Sequence, residues 1–292
     1  MIRINRGAEP ATVARTATTR LKVAAERFNL HGAPSDELKR ELTGYNARAT
    51  KEALYLAQNG KCAWCERLTD FSSAPVEHYR PKNGAWRNLP SDPRRSDAGH
   101  YWWLTWTWTN LLFSCMRCND AAHKANYFPL KSGTIAAPLP VAPIPVPPHV
   151  PISSVSGEQP LLLDPAGNLD PVEHIEWRPA NTNFDRRDWT WTPLGLTEEG
   201  CATIAILKLD ELAGRLQGHV RTRLLPSIEE VEGHLAKGRR PAARRRWKKL
   251  LQDNLAPDAE LSAFTWYALG PLTREEFRTQ HGFAAIERPG AR

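Results

Sequence analysis

Two pairs of closely spaced cysteines constrain the fold of this chain more than any other feature. Cys62 and Cys65 are separated by two residues, and Cys115 and Cys118 repeat that spacing. A turn of this kind presents two thiolates to one ion, and two such turns supply the tetrahedral set of four sulfur ligands that Zn²⁺ prefers. The sequence therefore predicts one structural zinc ion held by all four cysteines, with a folded segment between the two pairs.

The composition is that of a globular protein. Of its 292 residues, 41% are hydrophobic and 24% are charged, which excludes wholesale disorder and fibrous repeats. No apolar stretch is long and unbroken enough to span a membrane, and the first 20 residues lack the apolar centre of a secretion signal. We therefore expect a cytoplasmic protein without a membrane partner. In that compartment cysteines stay reduced, which favours metal binding; a redox role for a CxxC pair is the weaker alternative.

The net charge of +7 is concentrated in one short segment. Residues 237–249 carry eight positive and no negative charges, so this segment alone accounts for the excess. The functional interpretation is contact with the phosphates of nucleic acid, with Trp247 available to stack on a base. The structural alternative is a solvated helix face. The residues predicted to contact nucleic acid here are Arg239, Arg240, Arg244, Arg245, Arg246, Lys248 and Lys249.

Four regions follow one another along the chain. Residues 1–60 form an N-terminal arm: the first 34 show no regular pattern, and a helix with Ser35 as its N-cap is predicted at roughly 36–59. Residues 61–130 form a core region, and residues 131–160 a proline-rich linker or extended surface strap. The last region, residues 161–292, has short strands and then predicted helices at about 197–218, 226–237, 241–254 and 258–269.

The segment YWWLTWTWTN at residues 101–110 has an unusual density of tryptophan. The alternation of threonine with large apolar residues favours a strand, although Trp102, Trp103 and Trp106 also fit one face of a helix. Tryptophans this closely spaced belong more often to a core than to a surface that stacks on bases. We expect them to pack the core region against the flanking helices.

Polar motifs cluster around the cysteine pairs. VEHYRPK occupies residues 76–82, WTNLLFS residues 108–114 and CNDAAHK residues 118–124. This order of motifs resembles the HNH endonucleases, and it is closer still to the HNH proteins of retron-associated and Septu-type bacterial antiphage systems. The features shared with that branch are EHYRPK at 77–82, YWWL at 101–104, WTNLLFSCMRCN at 108–119, FPL at 128–130, PLLLDP at 160–165, DPVEHIEW at 170–177 and TIAILKLDELAGR at 203–215.

The resemblance implies a fold and a function. The fold would be α+β and mostly helical, with a zinc-stapled ββα-metal core wrapped by N- and C-terminal helices. The function would be a metal-dependent endonuclease that hydrolyses phosphodiester bonds of DNA, as the effector of an antiphage system with a partner ATPase. The chain lacks a GxxxxGKS/T loop, so ATP hydrolysis would belong to a separate polypeptide. The alternative is a non-catalytic, zinc-dependent nucleic-acid-binding or assembly module.

The catalytic residues follow from chemistry and resemblance together. His78 is the expected general base, because imidazole titrates near the operating pH. By resemblance, Asn110 orients the His78 region, and Glu77 and Asn119 hold a hard divalent ion, Mg²⁺ or Mn²⁺, which prefers oxygen ligands. Many relatives carry histidine in place of Asn119. His123, four residues further along one helix face, is the alternative ligand.

Three basic residues complete the predicted site. Arg80, Lys82 and Lys124 are expected to contact substrate phosphates near the cleaved bond. Two other residues receive structural interpretations: His174, in a second Glu-His pair, and Cys201, which we expect to be a small core residue in an apolar helical pattern.

Overall fold

The computed structural model describes residues 1–146 and 152–289. Residues 147–151, which belong to the predicted linker of residues 131–160, and residues 290–292 lie outside the described residues. The helices are α1 (Ala11–His31), α2 (Asp36–Glu41), α3 (Arg48–Ala57), α4 (Met116–Asn119), α5 (Glu198–Leu207), α6 (Ala213–His219), α7 (Leu225–Ala236), α8 (Arg240–Leu255), α9 (Ser262–Thr273) and α10 (Glu275–His281). The strands are β1 (Val76–His78), β2 (Ala85–Trp86), β3 (Ser96–Asp97), β4 (Leu111–Phe113), β5 (Ile175–Ala180) and β6 (Thr190–Gly195).

Helices and short strands occur together, which confirms the predicted α+β class. The strands form three separate antiparallel pairs within the described residues: β1 with β4, β2 with β3, and β5 with β6. None of the helices in the described ranges is both long and apolar enough to cross a membrane.

The N-terminal arm is more helical than its sequence pattern indicates. The prediction that residues 1–34 are irregular is wrong, because α1 spans 21 of them. The buried face of α1 includes the small residues Ala24 and Ala25 beside Phe28. Because alanine is only weakly hydrophobic, the helical repeat of apolar residues in this sequence is faint. Helix α1 ends at Gly32, whose φ is +71°, a conformation that glycine adopts without steric cost.

The helix predicted at residues 36–59 is broken into two. Ser35 is the predicted N-cap of α2, and its hydroxyl accepts a hydrogen bond from the Leu38 amide over 3.3 Å. The chain leaves the helix at Leu42 and resumes it at Arg48. Between them Gly44 has a φ of +77°, which a right-handed helix does not contain. The turn at Gly44 brings the following residues towards β1.

Strands β1 and β4 form the centre of the core region. Val76 lies opposite Phe113 and His78 opposite Leu111, and all six residues of the two strands are buried. The first cysteine turn is attached to the same ladder, because the Ala63 amide donates to the Phe113 carbonyl over 3.0 Å. The two cysteine pairs therefore lie at the Phe113 end of the ladder, and His78 lies at the other end.

The tryptophan-rich segment forms two 3-10 turns at Trp102–Leu104 and Trp108–Asn110, so the predicted strand is wrong. The expectation that its tryptophans belong to the core is confirmed, since those at 102, 103, 106 and 108 are buried. Trp102 stacks on Phe28 of α1 with ring centroids 5.0 Å apart. The Trp106 indole donates to the Thr43 carbonyl over 2.9 Å. These contacts hold the N-terminal arm against the core region.

The described part of residues 131–160 lies against the core as an extended strap that is anchored by one buried carboxylate. Glu158, whose side chain is 1% exposed, forms an ion pair with Arg80 over 2.9 Å. Its other oxygen accepts hydrogen bonds from the Tyr101 hydroxyl over 2.7 Å and from the Ala137 amide over 2.8 Å. Both oxygens of this buried carboxylate thus accept hydrogen bonds, as a buried charge requires.

The C-terminal helices lie close to their predicted positions. The helix predicted at 197–218 divides into α5 and α6, because Lys208 adopts a left-handed conformation with φ +46°. The prediction that Cys201 is a core residue is wrong, since it is exposed on α5. His174 has a structural contact, as predicted: its Nδ1 lies 2.8 Å from the hydroxyl of Thr197, which also caps α5.

Replacing Glu158 with alanine is expected to lower the free energy of unfolding by about 3 kcal/mol, because the Arg80 guanidinium and the Tyr101 hydroxyl lose a buried partner. Urea unfolding followed by circular dichroism measures the change. The control is Asp253→Ala, which removes an exposed ion pair with Lys249 and should cost less than about 1 kcal/mol. Equal losses in the two variants would show that Glu158 does not anchor the strap.

Candidate functional site

The four cysteines of the predicted zinc site converge in the structure. All four are buried, and their sulfur atoms lie within 4.8 Å of one another. The sulfurs of Cys65 and Cys115 are 3.8 Å apart, and a tetrahedron of Zn–S bonds of about 2.3 Å places its sulfurs roughly 3.8 Å apart. The cluster can therefore hold a metal ion such as zinc.

The thiols of this cluster ionise as a coupled set. Hydrogen bonds from the neighbouring thiols, first that of Cys118, lower the pKa of Cys115 far below its ordinary range. The hydrogen bond to Cys115 in turn raises the pKa of both Cys65 and Cys118. Only a nearby cation lets several thiolates coexist at this distance, and a zinc ion supplies that charge.

His78 ends strand β1 with its imidazole fixed in one tautomer. Its Nε2 lies 2.9 Å from the carbonyl oxygen of Thr105, and a carbonyl oxygen can only accept a hydrogen bond. Nε2 therefore carries the proton, and Nδ1 is the basic nitrogen of the neutral ring. Burial lowers the pKa of His78 to about 3, so the ring is neutral at pH 7. In the described part of the chain Nδ1 has no hydrogen-bond partner.

Asn110 joins the backbone segments on either side of this histidine. Its side-chain oxygen accepts from the Arg80 amide over 2.8 Å, and its side-chain nitrogen donates to the carbonyls of Arg80 and Leu104 over 3.0 and 3.2 Å. Arg80 follows His78 by two residues, and Leu104 precedes Thr105, the partner of the imidazole. The asparagine thus sets the distance between the chain that carries the ring and the carbonyl that orients it.

Glu77 and Lys124 form a buried ion pair beside His78. The Lys124 ammonium lies 2.7 Å from the Glu77 carboxylate, with side chains 0% and 7% exposed. It also donates to the His78 carbonyl. Burial raises the pKa of Glu77, an effect that the charge of Lys124 opposes. In this arrangement Lys124 is not available to a substrate phosphate, because its ammonium is enclosed and already bound to acceptors.

The two alternative ligands for a divalent ion, Asn119 and His123, are not on one helix. Helix α4 ends at Asn119, so the assumption that Asn119 and His123 share one helix face is wrong. The two nitrogens of His123 lie 2.7 Å from Asp120 and 3.3 Å from Glu211. Asn119 is half-buried. Glu77 faces the Lys124 ammonium and His123 faces two other carboxylates, so both side chains already have partners in this arrangement.

The other two basic residues predicted near His78 differ in their surroundings. Arg80 is committed to Glu158, and its guanidinium lies over the rings of Tyr79 and Phe128 at 5.4 and 5.2 Å. Lys82 is half-buried and donates to the Leu42 carbonyl over 2.7 Å. Among the described residues no carboxylate lies within ion-pair distance of Lys82, which leaves its charge available to a ligand.

Tyr45 is a residue of this site that sequence reasoning missed. Its ring meets the imidazole of His78 edge-on, with centroids 4.3 Å apart, and the Lys82 ammonium lies 4.5 Å from its ring centroid. Burial, and then the charge of Glu77, raise the pKa of Tyr45, so its hydroxyl stays protonated. Tyr45 lies in the predicted N-terminal arm, outside the predicted core of residues 61–130, and no local motif marks it.

The basic segment of residues 237–249 includes the first part of α8. Ala243, Trp247 and Leu250 are buried, and the predicted stacking role of Trp247 is not available, because its indole donates to the Ala284 carbonyl over 2.8 Å and packs on Phe283. Arg246 is half-buried and forms an ion pair with Glu230, and Lys249 pairs with Asp253 over 3.0 Å. The exposed basic residues of the segment are Lys237, Arg239, Arg240, Arg244, Arg245, Lys248 and Lys249.

A curated protein with a related sequence is the Septu protein PtuB of Bacillus mycoides (strain KBAB4). The chain is 32% identical to it over 179 residues, which is 61% of this chain and 55% of the relative. The chain thus spans about half the length of the curated relative that it matches. No family model and no solved structure matches the chain.

Replacing Cys115 with serine is expected to abolish stoichiometric zinc binding and to cost more than about 4 kcal/mol of folding free energy, because the change removes one ligand of a closed structural site. Elemental analysis of the purified chain and thermal unfolding measure the two effects. Cys201→Ser is the matched control, since Cys201 is exposed on α5. Wild-type protein without zinc, or a normal zinc content in Cys115→Ser, would contradict this assignment.

Replacing Asn110 with alanine is expected to lower the free energy of unfolding by about 2 kcal/mol, because the Arg80 amide and two carbonyls lose their hydrogen-bond partner. Chemical unfolding checks this value. Asn83→Ala, at an exposed turn position, is the control and should be close to neutral. An Asn110 variant as stable as the Asn83 variant would show that the bridge is dispensable.

Proposed function

We propose that this chain is an HNH-type endonuclease that hydrolyses phosphodiester bonds of DNA and acts in Septu-type antiphage defence. The observation that carries the proposal is the state of His78. The imidazole is neutral at the end of a strand, with Nε2 bonded to a carbonyl and Nδ1 unpaired, and this is the protonation state from which a general base takes a proton. The two-strand and short-helix unit with its four-cysteine cluster supports assignment of this region to an HNH core.

In the proposed reaction His78 Nδ1 takes a proton from a water molecule as that water attacks the phosphorus atom. The phosphorus–oxygen bond to the leaving nucleotide breaks, and the leaving oxygen takes a proton from solvent. The Thr105 carbonyl holds the Nε2–H, so the ring keeps one orientation while the proton moves. Asn110 maintains that geometry by tying Arg80 to Leu104. General-base catalysis of this kind contributes roughly 10²- to 10⁴-fold to a rate.

Dependence on Mg²⁺ or Mn²⁺ is part of the proposal, and the resemblance of the motifs to HNH enzymes supports it. A bound divalent ion would stabilise charge on the phosphoryl oxygens and on the leaving oxygen. In the structure Glu77 is paired with Lys124, and His123 lies against Asp120 and Glu211, so an ion held by these residues would displace those partners.

The exposed basic face of α8 is the proposed surface for the DNA backbone. Arg240, Arg244 and Lys248 recur every four residues, and together with Arg245 they are exposed on the helix whose buried residues include Ala243 and Trp247. Seven exposed positive charges within 237–249 fit the phosphates of one face of a duplex without reading base sequence.

A role with a separately encoded ATPase is proposed from similarity alone. The curated relative is named a Septu protein, and this chain carries no phosphate-binding loop of the GxxxxGKS/T type. ATP hydrolysis in such a system would therefore come from another polypeptide.

The second candidate is a zinc-dependent nucleic-acid-binding module without catalysis. The buried pair between Glu77 and Lys124 favours it, because the carboxylate expected to bind the catalytic ion is already neutralised. Such a module would use the basic face of α8 and retain the cysteine cluster as a scaffold.

Cleavage of supercoiled plasmid by the purified chain in Mg²⁺ or Mn²⁺ tests the two candidates. We expect nicked or linear product from the wild type, a rate lower by about 10²- to 10⁴-fold for His78→Ala, and no product in EDTA. His31→Ala is the matched control, because His31 is exposed at the end of α1.

Equal cleavage by the His78 and His31 variants would refute the general base. If the wild type does not cut and both it and His78→Ala bind plasmid with the same affinity, the non-catalytic module is the better description. Cutting that persists in EDTA would show that catalysis does not need a divalent ion, and the proposed role of His78 as general base would stand.

A further inference from the structure

We propose that Arg20, Tyr45 and Lys82 form a phosphate-binding seat beside His78, with two of the three supplied by the N-terminal arm. The inference rests on the proposed function and deepens it, because it names the groups that hold a substrate phosphodiester at the same site. None of the three belongs to the four-cysteine cluster or to the basic face of α8.

Only some of the cations near His78 can reach a ligand. Arg80 is paired with Glu158, and Lys124 is enclosed against Glu77. In the described residues neither Lys82 nor Arg20 has a carboxylate within ion-pair distance. A phosphate that approaches His78 therefore meets these two cations without having to break an existing ion pair.

Lys82 and Tyr45 lie next to each other beside His78. The Lys82 ammonium has three N–H groups, and the Leu42 carbonyl takes one of them over 2.7 Å, which leaves two for phosphate oxygens. The ammonium lies 4.5 Å from the centroid of the Tyr45 ring, and that ring lies 4.3 Å from the His78 ring. The Lys82 ammonium, the Tyr45 ring and the His78 ring are therefore neighbours in the structure.

Arg20, on α1, lies against the turn that precedes Tyr45. A methyl group built on Gly44 would lie 3.1 Å from Arg20 Nε, so the guanidinium group rests against the residue that precedes Tyr45. The Arg20 side chain is exposed, and a guanidinium group can donate two parallel hydrogen bonds to one phosphate. Its position makes it the second charge of the seat.

The loop that carries Tyr45 is held in place before any ligand binds. The Trp106 indole donates to the Thr43 carbonyl over 2.9 Å, and Glu41, the nearest acidic residue along the chain, is paired with Arg27 over 3.3 Å. The backbone that precedes Tyr45 is therefore tied to the core, and the carboxylate closest to Tyr45 in sequence is already engaged. A phosphodiester is the ligand class that matches two free cations and one hydroxyl donor.

The test is the salt dependence of binding to a short DNA duplex, measured without added Mg²⁺ or Mn²⁺ on a His78→Gln background that leaves the duplex uncut. Each phosphate contact contributes about 0.9 to the slope of log K against log salt concentration. Arg20→Ala and Lys82→Ala are each expected to lower that slope by about 1. Arg15→Ala is the matched control, because Arg15 is also an exposed and unpaired arginine of α1 in the described structure.

Tyr45→Phe keeps the ring against His78 and removes only the hydroxyl. It is expected to weaken binding several-fold with an unchanged salt slope, because a neutral hydrogen bond releases no counterion. The thermal midpoint and zinc content of each variant confirm that the fold is intact.

The seat is refuted if Arg20→Ala and Lys82→Ala keep the wild-type slope, or if Arg15→Ala lowers it as much as they do. An unchanged affinity in Tyr45→Phe would remove the hydroxyl from the seat. A chain that fails to cut plasmid but shows the slope changes specific to Arg20 and Lys82 would refute catalysis by the chain alone and support the seat.

Discussion

Convergence of four cysteines at one end of the β1–β4 ladder is the constraint on which the core region depends. Two strands of three residues each bury too little surface to hold themselves in register. One cysteine turn is bonded to the end of β4, and the other directly follows it, so a single bound ion would fix that end of the ladder and the start of α4 together. The pairing register then determines where His78 lies relative to Asn110, at the opposite end.

Buried ion pairs decide which basic residues remain available to a ligand. Arg80 and Lys124 have the same charge as Lys82 and lie close to the same histidine, but each is matched to a carboxylate inside the protein. Releasing either would leave an unpaired buried charge, which costs several kcal/mol, typically about 3–5. The acidic residues around these cations therefore determine which of them can bind a ligand, and their distance along the chain from His78 does not.

Local signals explain what could be predicted from the sequence and what could not. The four-cysteine cluster, the N-cap at Ser35 and the positions of α7 and α8 follow from local motifs and spacings, and the structure contains them. Helix α1 was missed because small residues form much of its buried face. Two contacts could not be predicted: that of Tyr45 with His78, and the ion pair of Arg80 with Glu158. Each joins chain segments that are distant in sequence and come together only in the folded protein, and no local motif indicates them.

The anchoring of the strap also sets an order of events during synthesis. Glu158 follows its partner Arg80 by 78 positions. At a translation rate of about 5–20 residues per second, Glu158 is therefore synthesised roughly 4–16 s after Arg80. Until then the groups that will surround it, the Tyr101 hydroxyl among them, are also without this acceptor. The nascent chain can bind its metal ion and pair β1 with β4 first, and the completed core closes only when the strap has emerged from the ribosome.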